Sequence, residues 1–462
     1  EDSIDQSGAP GERSVTMTLD EAARERMGMP LDSILSGPIV ATVSDVKATA
    51  EGTTQSIQTD LTDARISFPA LGLEKPAGES AKASFKLAQS NGTIRLSDLS
   101  VVSESMRVEG EAEFGKGGEL VRLNLPVLRT PRGTDVSVTG RTQSGARSFA
   151  LKGKSLDLRG VLGNSQKVAD EAESAGGRMN IELDVGRAIG VGGVELSGLQ
   201  GTMTRSGSRT ERLDLTAVTG AAVPVSVRYS DDGTNADLSV ESADAGGVLA
   251  WSGYYPHLRG GQLRVAGTRR GATAPLAGSI SIDRFRIAGD PSLTRLIQDG
   301  EQEAKQSPSA RGGTAPSGRA PGINAADVGF DRLTADFERG ETEMRVIDGV
   351  LRGVAVGATV EGTIDFTSER LALHGTYVPL YALNNLFGQL PLFLGPLLGG
   401  KKNEGLLGIT YSLSGSTKSP VLTINPISVV APGVFRYILG MDNPKAFTPG
   451  RAPAFDPASP IR

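Results

Sequence analysis

The sequence predicts a mostly β protein built on a large, twisted antiparallel sheet, and three observations carry that expectation. Apolar and polar residues alternate along stretch after stretch, which gives a strand one dry face and one wet face. The 462 residues include 60 Gly and 25 Pro but only 5% aromatics, a balance that favours many turns over long helices. Strand-like units also recur. Val108-Glu109-Gly110-Glu111-Ala112-Glu113-Phe114 is matched by Val360-Glu361-Gly362-Thr363-Ile364-Asp365-Phe366. Such a repeat fits a sheet that grows by adding similar hairpins. Short matches of this kind also arise in any antiparallel protein.

Taken in chain order, residues 1–15 are polar and carry Gly and Pro, and are expected to be disordered. Asp20 to Met27 reads as a short helix with acidic residues early, ended by Gly28 and Pro30. The alternating segments follow. Ala83, Phe85 and Leu87 share a face, as do Met106, Val108, Ala112 and Phe114, with Arg107, Glu109, Glu111 and Glu113 opposite. Val121/Leu123/Leu125, Ile181/Leu183/Val185, Val225/Val227/Tyr229 and Ala236/Leu238/Val240 repeat the pattern. The longest run is Val354, Val356, Ala358, Val360, Ile364 and Phe366, followed by Leu407, Ile409, Tyr411 and Leu413. Two more helices are predicted, Ala245–Trp251 and Pro291–Gln298, the second with Asp290 as N-cap and Pro in its first turn. Residues 299–322 and 441–462 have no apolar periodicity and much Ser, Pro and Gly, and are expected to be a flexible insert and a disordered tail. The intervening regions, 16–298 and 323–440, are the two expected β regions.

One segment breaks the pattern. Tyr377–Leu398, YVPLYALNNLFGQLPLFLGPLL, is strongly apolar, but Pro379, Pro391, Pro396, Gly388 and Gly395 divide it into pieces of two turns or less. A membrane span needs about 20 unbroken apolar residues. Two short amphipathic helices are expected instead, hinged at Gly388. Leu386, Phe387, Leu390, Leu392, Phe393 and Leu397 would supply apolar contact to a membrane interface or plug the end of the sheet. Lys401 and Lys402, just beyond, are placed to meet lipid phosphates or to form a plain charged loop.

Composition removes several function classes. A net charge of −5 and a pI near 5.4 argue against nucleic-acid binding, which needs a basic stripe. There is no Cys, and the two His are His257 and His374, so thiolate chemistry, His-rich metal sites and Ser-His-Asp triads lack material. No cofactor and no metal are expected. Gly395-x-x-x-x-Gly400-Lys401 matches most of a P-loop, but Lys402 stands where the metal-holding Ser or Thr belongs, and Pro396 removes an amide. Glu109, Glu111 and Glu113 resemble an acid/base cluster and read more simply as the wet face of a strand. Both His read as structural, and the chain is not expected to be an enzyme.

Residues 243–267, ADAGGVLAWSGYYPHLRGGQLRVAG, together with the block from Phe330 to Leu439, resemble the AsmA-like C-terminal domain family. That block holds GVLRGVAVGATVEGTIDF, HGTYVPLYALNNLFGQLPLFLGPLLGG, NEGLLGITYSLSG and VLTINPISVVAPGVFRYIL. The family belongs to Gram-negative envelopes and is similar to bridge-like lipid transfer proteins. The resemblance implies a twisted antiparallel sheet curled into an open apolar groove that holds phospholipid acyl chains, with phospholipid and a membrane surface as partners. It also implies a periplasmic location, tied to the inner membrane by a segment outside these residues, and a part in phospholipid transport or outer-membrane homeostasis. Physics is consistent with a groove: a curled sheet exposes an apolar patch, and an acyl chain gains about 0.8 kcal/mol per CH₂ buried there. On this reading Val108, Phe114, Val360, Ile364 and Phe366 line the groove, and the headgroup stays in water with little selection. The competing reading is a structural or adhesive β-solenoid of the cell envelope, filled by its own side chains and without lipid cargo.

Overall fold

The structure is a computed structural model that describes residues 14–26, 34–49, 52–68, 71–163, 177–306, 324–353, 356–379, 406–417 and 419–430. It is mostly β, made of twisted antiparallel sheet that does not close on itself, with four short helices among the described residues. The chain forms two compact units, Glu1–Ser230 with Gly247–Pro256, and Asp231–Gly246 with His257–Arg462.

In the first unit, β1 (Val15–Leu19) leads into α1 (Glu21–Arg26). Asp20 caps this helix by accepting a 2.7 Å hydrogen bond from the Ala23 amide. Next come β2 (Leu35–Ser36), β3 (Ile39–Thr49), β4 (Gly52–Asp60), β5 (Arg65–Phe68), β6 (Leu73–Lys75), β7 (Ala81–Ser90), β8 (Thr93–Ser103) and β9 (Arg107–Phe114). β10 (Leu120–Arg129), β11 (Asp135–Gln143) and β12 (Ala146–Asp157) precede α2 (Arg159–Gly163). β13 (Arg178–Ile189), β14 (Glu195–Ser206), β15 (Arg209–Val218) and β16 (Pro224–Asp231) complete the unit. β2, β5 and β6 form a small separate sheet. The others pair with their neighbours in the order β1, β3, β4, β7 and onward to β16. One described pair, β12 with β13, is parallel. The chain must return between Asp157 and Arg178 to the end where β12 began, the long connection that a parallel pair requires.

The second unit runs from β17 (Asn235–Ser242) through α3 (Ala245–Ser252, whose C-terminal part counts with the first unit) to β18 (Leu258–Arg270) and β19 (Leu276–Ala288). α4 (Pro291–Gln306), β20 (Asp327–Arg339), β21 (Glu343–Arg352), β22 (Val356–Asp365), β23 (Arg370–Pro379), β24 (Leu406–Ser416) and β25 (Ser419–Val430) follow. β17 to β25 pair antiparallel in sequence order, α4 aside. α4 leaves the sheet between β19 and β20, yet it comes within 8 Å of β23 and β25. The sheet of this unit must therefore curl, bringing later strands round to the helix. Leu296 and Ile297 of this helix are buried.

The curling has a local cause in β-bulges, which add a residue to one strand and sharpen its twist. Asp98 and Asp348 sit in the left-handed region (φ 54° and 48°) where the registers of β8–β9 and β21–β22 skip. The repeat glycine abuts each bulge: Gly110 pairs with Leu99, and Gly362 with Val346. Their φ values are 153° and 138°, and a Cβ would overlap the carbonyl oxygen of Asn124 or of Ala372 on the next strand. The seven-residue match is thus a repeated bend as well as a repeated alternation.

The expected helices at residues 20–27, 245–251 and 291–298 are present as α1, α3 and α4. α4 also takes in residues 299–306, which the sequence reading gave to the insert. Glu301, Gln302, Glu303, Ala304 and Lys305 are strong helix formers, so the helix propagates once Asp290 has capped it; the Leu293 amide donates 2.7 Å to Asp290 Oδ1. Residues 1–13, the remaining insert 307–322, the apolar segment from 380 on, with Lys401 and Lys402, and the tail 441–462 lie outside the described residues. So do the short helices expected near the C-terminal end.

Candidate functional site

Strand pairing in the first unit aligns the apolar residues of successive strands into rows that run across the sheet. The first row is Met17, Ala41, Thr59, Ala83, Val101, Val108, Leu128, Val136, Gly153, Val185 and Leu199, each opposite the next. Two residues further along the strands, Leu125, Val138, Leu151, Leu183, Gly201, Leu215 and Val227 form a middle row. The outer row is Leu87, Leu96, Ala112, Leu123, Gly140, Phe149, Ile181, Met203, Leu213 and Tyr229.

Burial falls off from row to row. In the first, Leu128 is 3% exposed, Val136 2% and Val185 1%. In the outer row only Ala112 is buried among the side-chain-bearing residues, and Leu96, Leu123, Phe149, Ile181, Met203, Leu213 and Tyr229 are half-buried. The gradient follows from what sits at each end of the strands. At the first-row end stand α1, the small sheet, α2, the 3-10 turn Val191–Gly193 and Trp251, whose indole donates 3.0 Å to the Ala188 carbonyl. At the other end several connections are tight turns. Asn91-Gly92 and Ser144-Gly145 both have positive φ at their two central residues (49° and 78°; 50° and 78°), the pattern of the hairpin turn that suits strand twist. Two-residue turns carry nothing to cover the sheet. The reverse face holds ion pairs and polar contacts such as Lys152–Glu182 at 2.9 Å and Gln200–Asp184 at 3.0 Å, as a wet face should.

The five residues expected to line a groove divide between the units. Val108 and Phe114 are half-buried on β9 of the first unit, Val108 in the first row beside Leu128, and Phe114 near the open end between Ile94 and Leu120. Val360 and Ile364 are half-buried on β22 of the second unit. Here too a row forms, from Leu238 through Gly267, Gly278, Phe337, Val346, Gly362, Leu373 and Leu413 to Leu422. Phe366 lies just past β22, and the Arg339 guanidinium sits 4.2 Å from its ring centroid. A cation therefore covers this ring on one side.

The candidates weighed against catalysis sit in ordinary structural surroundings. Glu109 pairs with Arg107 at 2.6 Å and Glu113 with Arg95 at 3.4 Å, on the wet side of β9. The His257 ring lies 3.2 Å from the Ala288 carbonyl, and His374 is exposed opposite Glu361. Among the described residues no cluster of His, Asp and Glu is arranged to hold a metal, and no helix is long and apolar enough to cross a membrane.

Two inward arginines were missed by the sequence reading, which expected no basic group to converge on a headgroup. Arg147 continues the phase of Phe149 and Leu151 on β12, and Arg205 that of Gly201 and Met203 on β14. That phase was the available signal: a charge in step with a dry face is unusual. No family model, no curated protein and no solved structure matches this chain. The resemblance to the AsmA-like family therefore rests on the residues quoted for it.

Proposed function

We propose that this chain binds lipid, holding acyl chains against the open apolar face of its sheet, and serves phospholipid transfer or outer-membrane homeostasis in a cell envelope. The observation that carries the reading is the graded face of the first unit. A buried row gives the sheet a stable floor, while the outer row keeps large apolar side chains half-exposed. Among the described residues, the helices of this unit lie at its closed end, away from the outer row. A continuous apolar strip of this kind marks a ligand or membrane surface. Acyl chains suit it, since they need contact area and no polar partner, at about 0.8 kcal/mol per CH₂ buried. The resemblance to the AsmA-like family supports a periplasmic, membrane-associated setting, and the absence of Cys is compatible with it.

The alternative, a scaffold of stacked strands without cargo, is favoured by the strictly sequential pairing of β7 to β16. Lipid extraction and native mass spectrometry after mild purification separate the two. Co-purifying phospholipid at about one or more molecules per chain supports the groove. A chain that stays empty after incubation with phospholipid, and whose outer row is inaccessible to apolar probes, is a scaffold.

A further inference from the structure

The rim of the first unit's apolar face is basic on its inner side. Past the outer row, register places Thr142, Arg147, Met179 and Arg205 opposite one another in turn. Arg147 and Arg205 thus flank Met179, two strand spacings or about 10 Å apart, within reach of one small anion from both sides. Arg141, Arg178, Arg209 and Arg212 stand at neighbouring strand ends in the opposite phase, on the wet face, where Glu211 is held by Arg178 (3.1 Å) and Arg209 (3.5 Å).

Arg205 is the informative member. It is half-buried, its Nη2 donates 3.1 Å to the Ser208 carbonyl, and its Nε is buried with no hydrogen-bond partner. No described carboxylate lies within 4 Å of it, and burial pushes its guanidinium down from the ordinary value. In the second unit Arg269, whose Nε is likewise buried without a partner, has Asp231 as counter-charge at 2.5 Å. A half-desolvated cation without a counter-charge is costly unless an anion completes it.

We propose that Arg205 and Arg147 form an anion-binding rim that selects acyl lipids with a negatively charged phosphate head. The chains would lie on the outer and middle rows with the phosphate between the two guanidiniums, where charge-assisted and forked hydrogen bonds are strongest. This rests on the lipid-binding reading and adds a headgroup preference to it, in place of the weak selection expected from the sequence.

The test uses the full chain and two short-chain lipids of equal acyl length, phosphatidylglycerol and the phosphate-free diacylglycerol, competing with a fluorescent fatty-acyl probe. Wild type should favour phosphatidylglycerol by about tenfold, the scale of one charge-assisted hydrogen bond. Arg147→Gln with Arg205→Gln should abolish that preference and leave diacylglycerol affinity unchanged. Lys152→Gln, which removes a charge from the wet face, should keep the preference. Equal affinity of wild type for the two lipids, or a preference that survives the double substitution, overturns the rim and leaves the groove standing. If neither lipid displaces the probe and the probe itself does not bind, the groove reading falls as well. Inorganic phosphate that raises the wild-type melting temperature as much as phosphatidylglycerol does would make this a free-anion site and overturn the lipid assignment.

Discussion

Val185 and Ile181 lie on the same strand and face the same way, four residues apart, yet the groove reading gives them opposite roles. Val185 belongs to the buried first row at 1% exposure, and Ile181 to the half-buried outer row. Val185→Asp removes roughly 1.5–3 kcal/mol of burial and leaves a carboxylate with no polar partner, so the total cost should be about 4–5 kcal/mol. Ile181→Asp removes about half as much contact, and its carboxylate can turn to water at the open side, for a cost of about 1 kcal/mol. At roughly 2–4 °C per kcal/mol for a cooperative unit of this size, the melting temperature should fall on the order of 10 °C or more for the first and only a few degrees for the second. Lipid capture, read by native mass spectrometry, should be lost in Ile181→Asp while the fold survives. The reasoning is refuted if Ile181→Asp melts as early as Val185→Asp, because the outer row would then be packed core. Unchanged lipid capture in a folded Ile181→Asp variant would equally remove acyl chains from this face.

The repeat glycines should resist replacement. Gly110→Ala and Gly362→Ala each drive a Cβ into a neighbouring strand's carbonyl and should cost roughly 2–4 kcal/mol in denaturant unfolding, against about 1 kcal/mol for Gly78→Ala, which has φ 90° and open space. Tyr411 is half-buried with its hydroxyl donating 2.7 Å to the Thr359 carbonyl, and desolvation pushes its pKa up to about 12. The folded state thus keeps a proton that the unfolded chain loses near pH 10, so this stability is present below that pH and declines as pH rises through 12. Ultraviolet titration of the tyrosines should show a late step that Tyr411→Phe removes. Phe387→Asp with Phe393→Asp tests the C-terminal apolar segment: lost liposome flotation with an unchanged melt assigns it to a membrane interface, a collapsed melt assigns it to core, and no change in either rejects both.

The alternation of Ile181, Leu183 and Val185 was enough to read a strand with one dry face, because the period of two is a local property. Which part of that face is core and which is open was not legible there, since all three residues look equally apolar. Only register shows that Val185 meets Leu199 under the helices and turns of one end, while Ile181 meets Met203 near the tight turns of the other. The helices were found where caps were local, as at Asp20 and Asp290. The end of α4 was missed because a polar helix with no apolar stripe looks like linker until a cap and propensity are weighed together. Arg147 and Arg205 stand in phase with Phe149 and Met203, which alternation makes visible in the sequence, but that their row lies at the open end follows only from register.

The relief of the open face bears on what covers it. A filled solenoid would bury every row alike, and at about 25 cal/mol per Å² the half-exposed outer row represents stabilisation that the chain leaves unrealised. Sequential strand pairing alone does not require this, since the first row shows the same strands burying Val136 and Val185 almost completely. The glycines of these rows are not gaps in them: the Phe149 ring lies over Gly140 and the Leu215 side chain over Gly201, so each glycine lets a large neighbour lie against the sheet. A rigid partner surface would have to match the side chains of this face closely to gain the contact energy of a packed interior. A flexible acyl chain needs no such match, since it trades a few torsions for contact along its length, and this is the physical reason for proposing acyl chains as the cover.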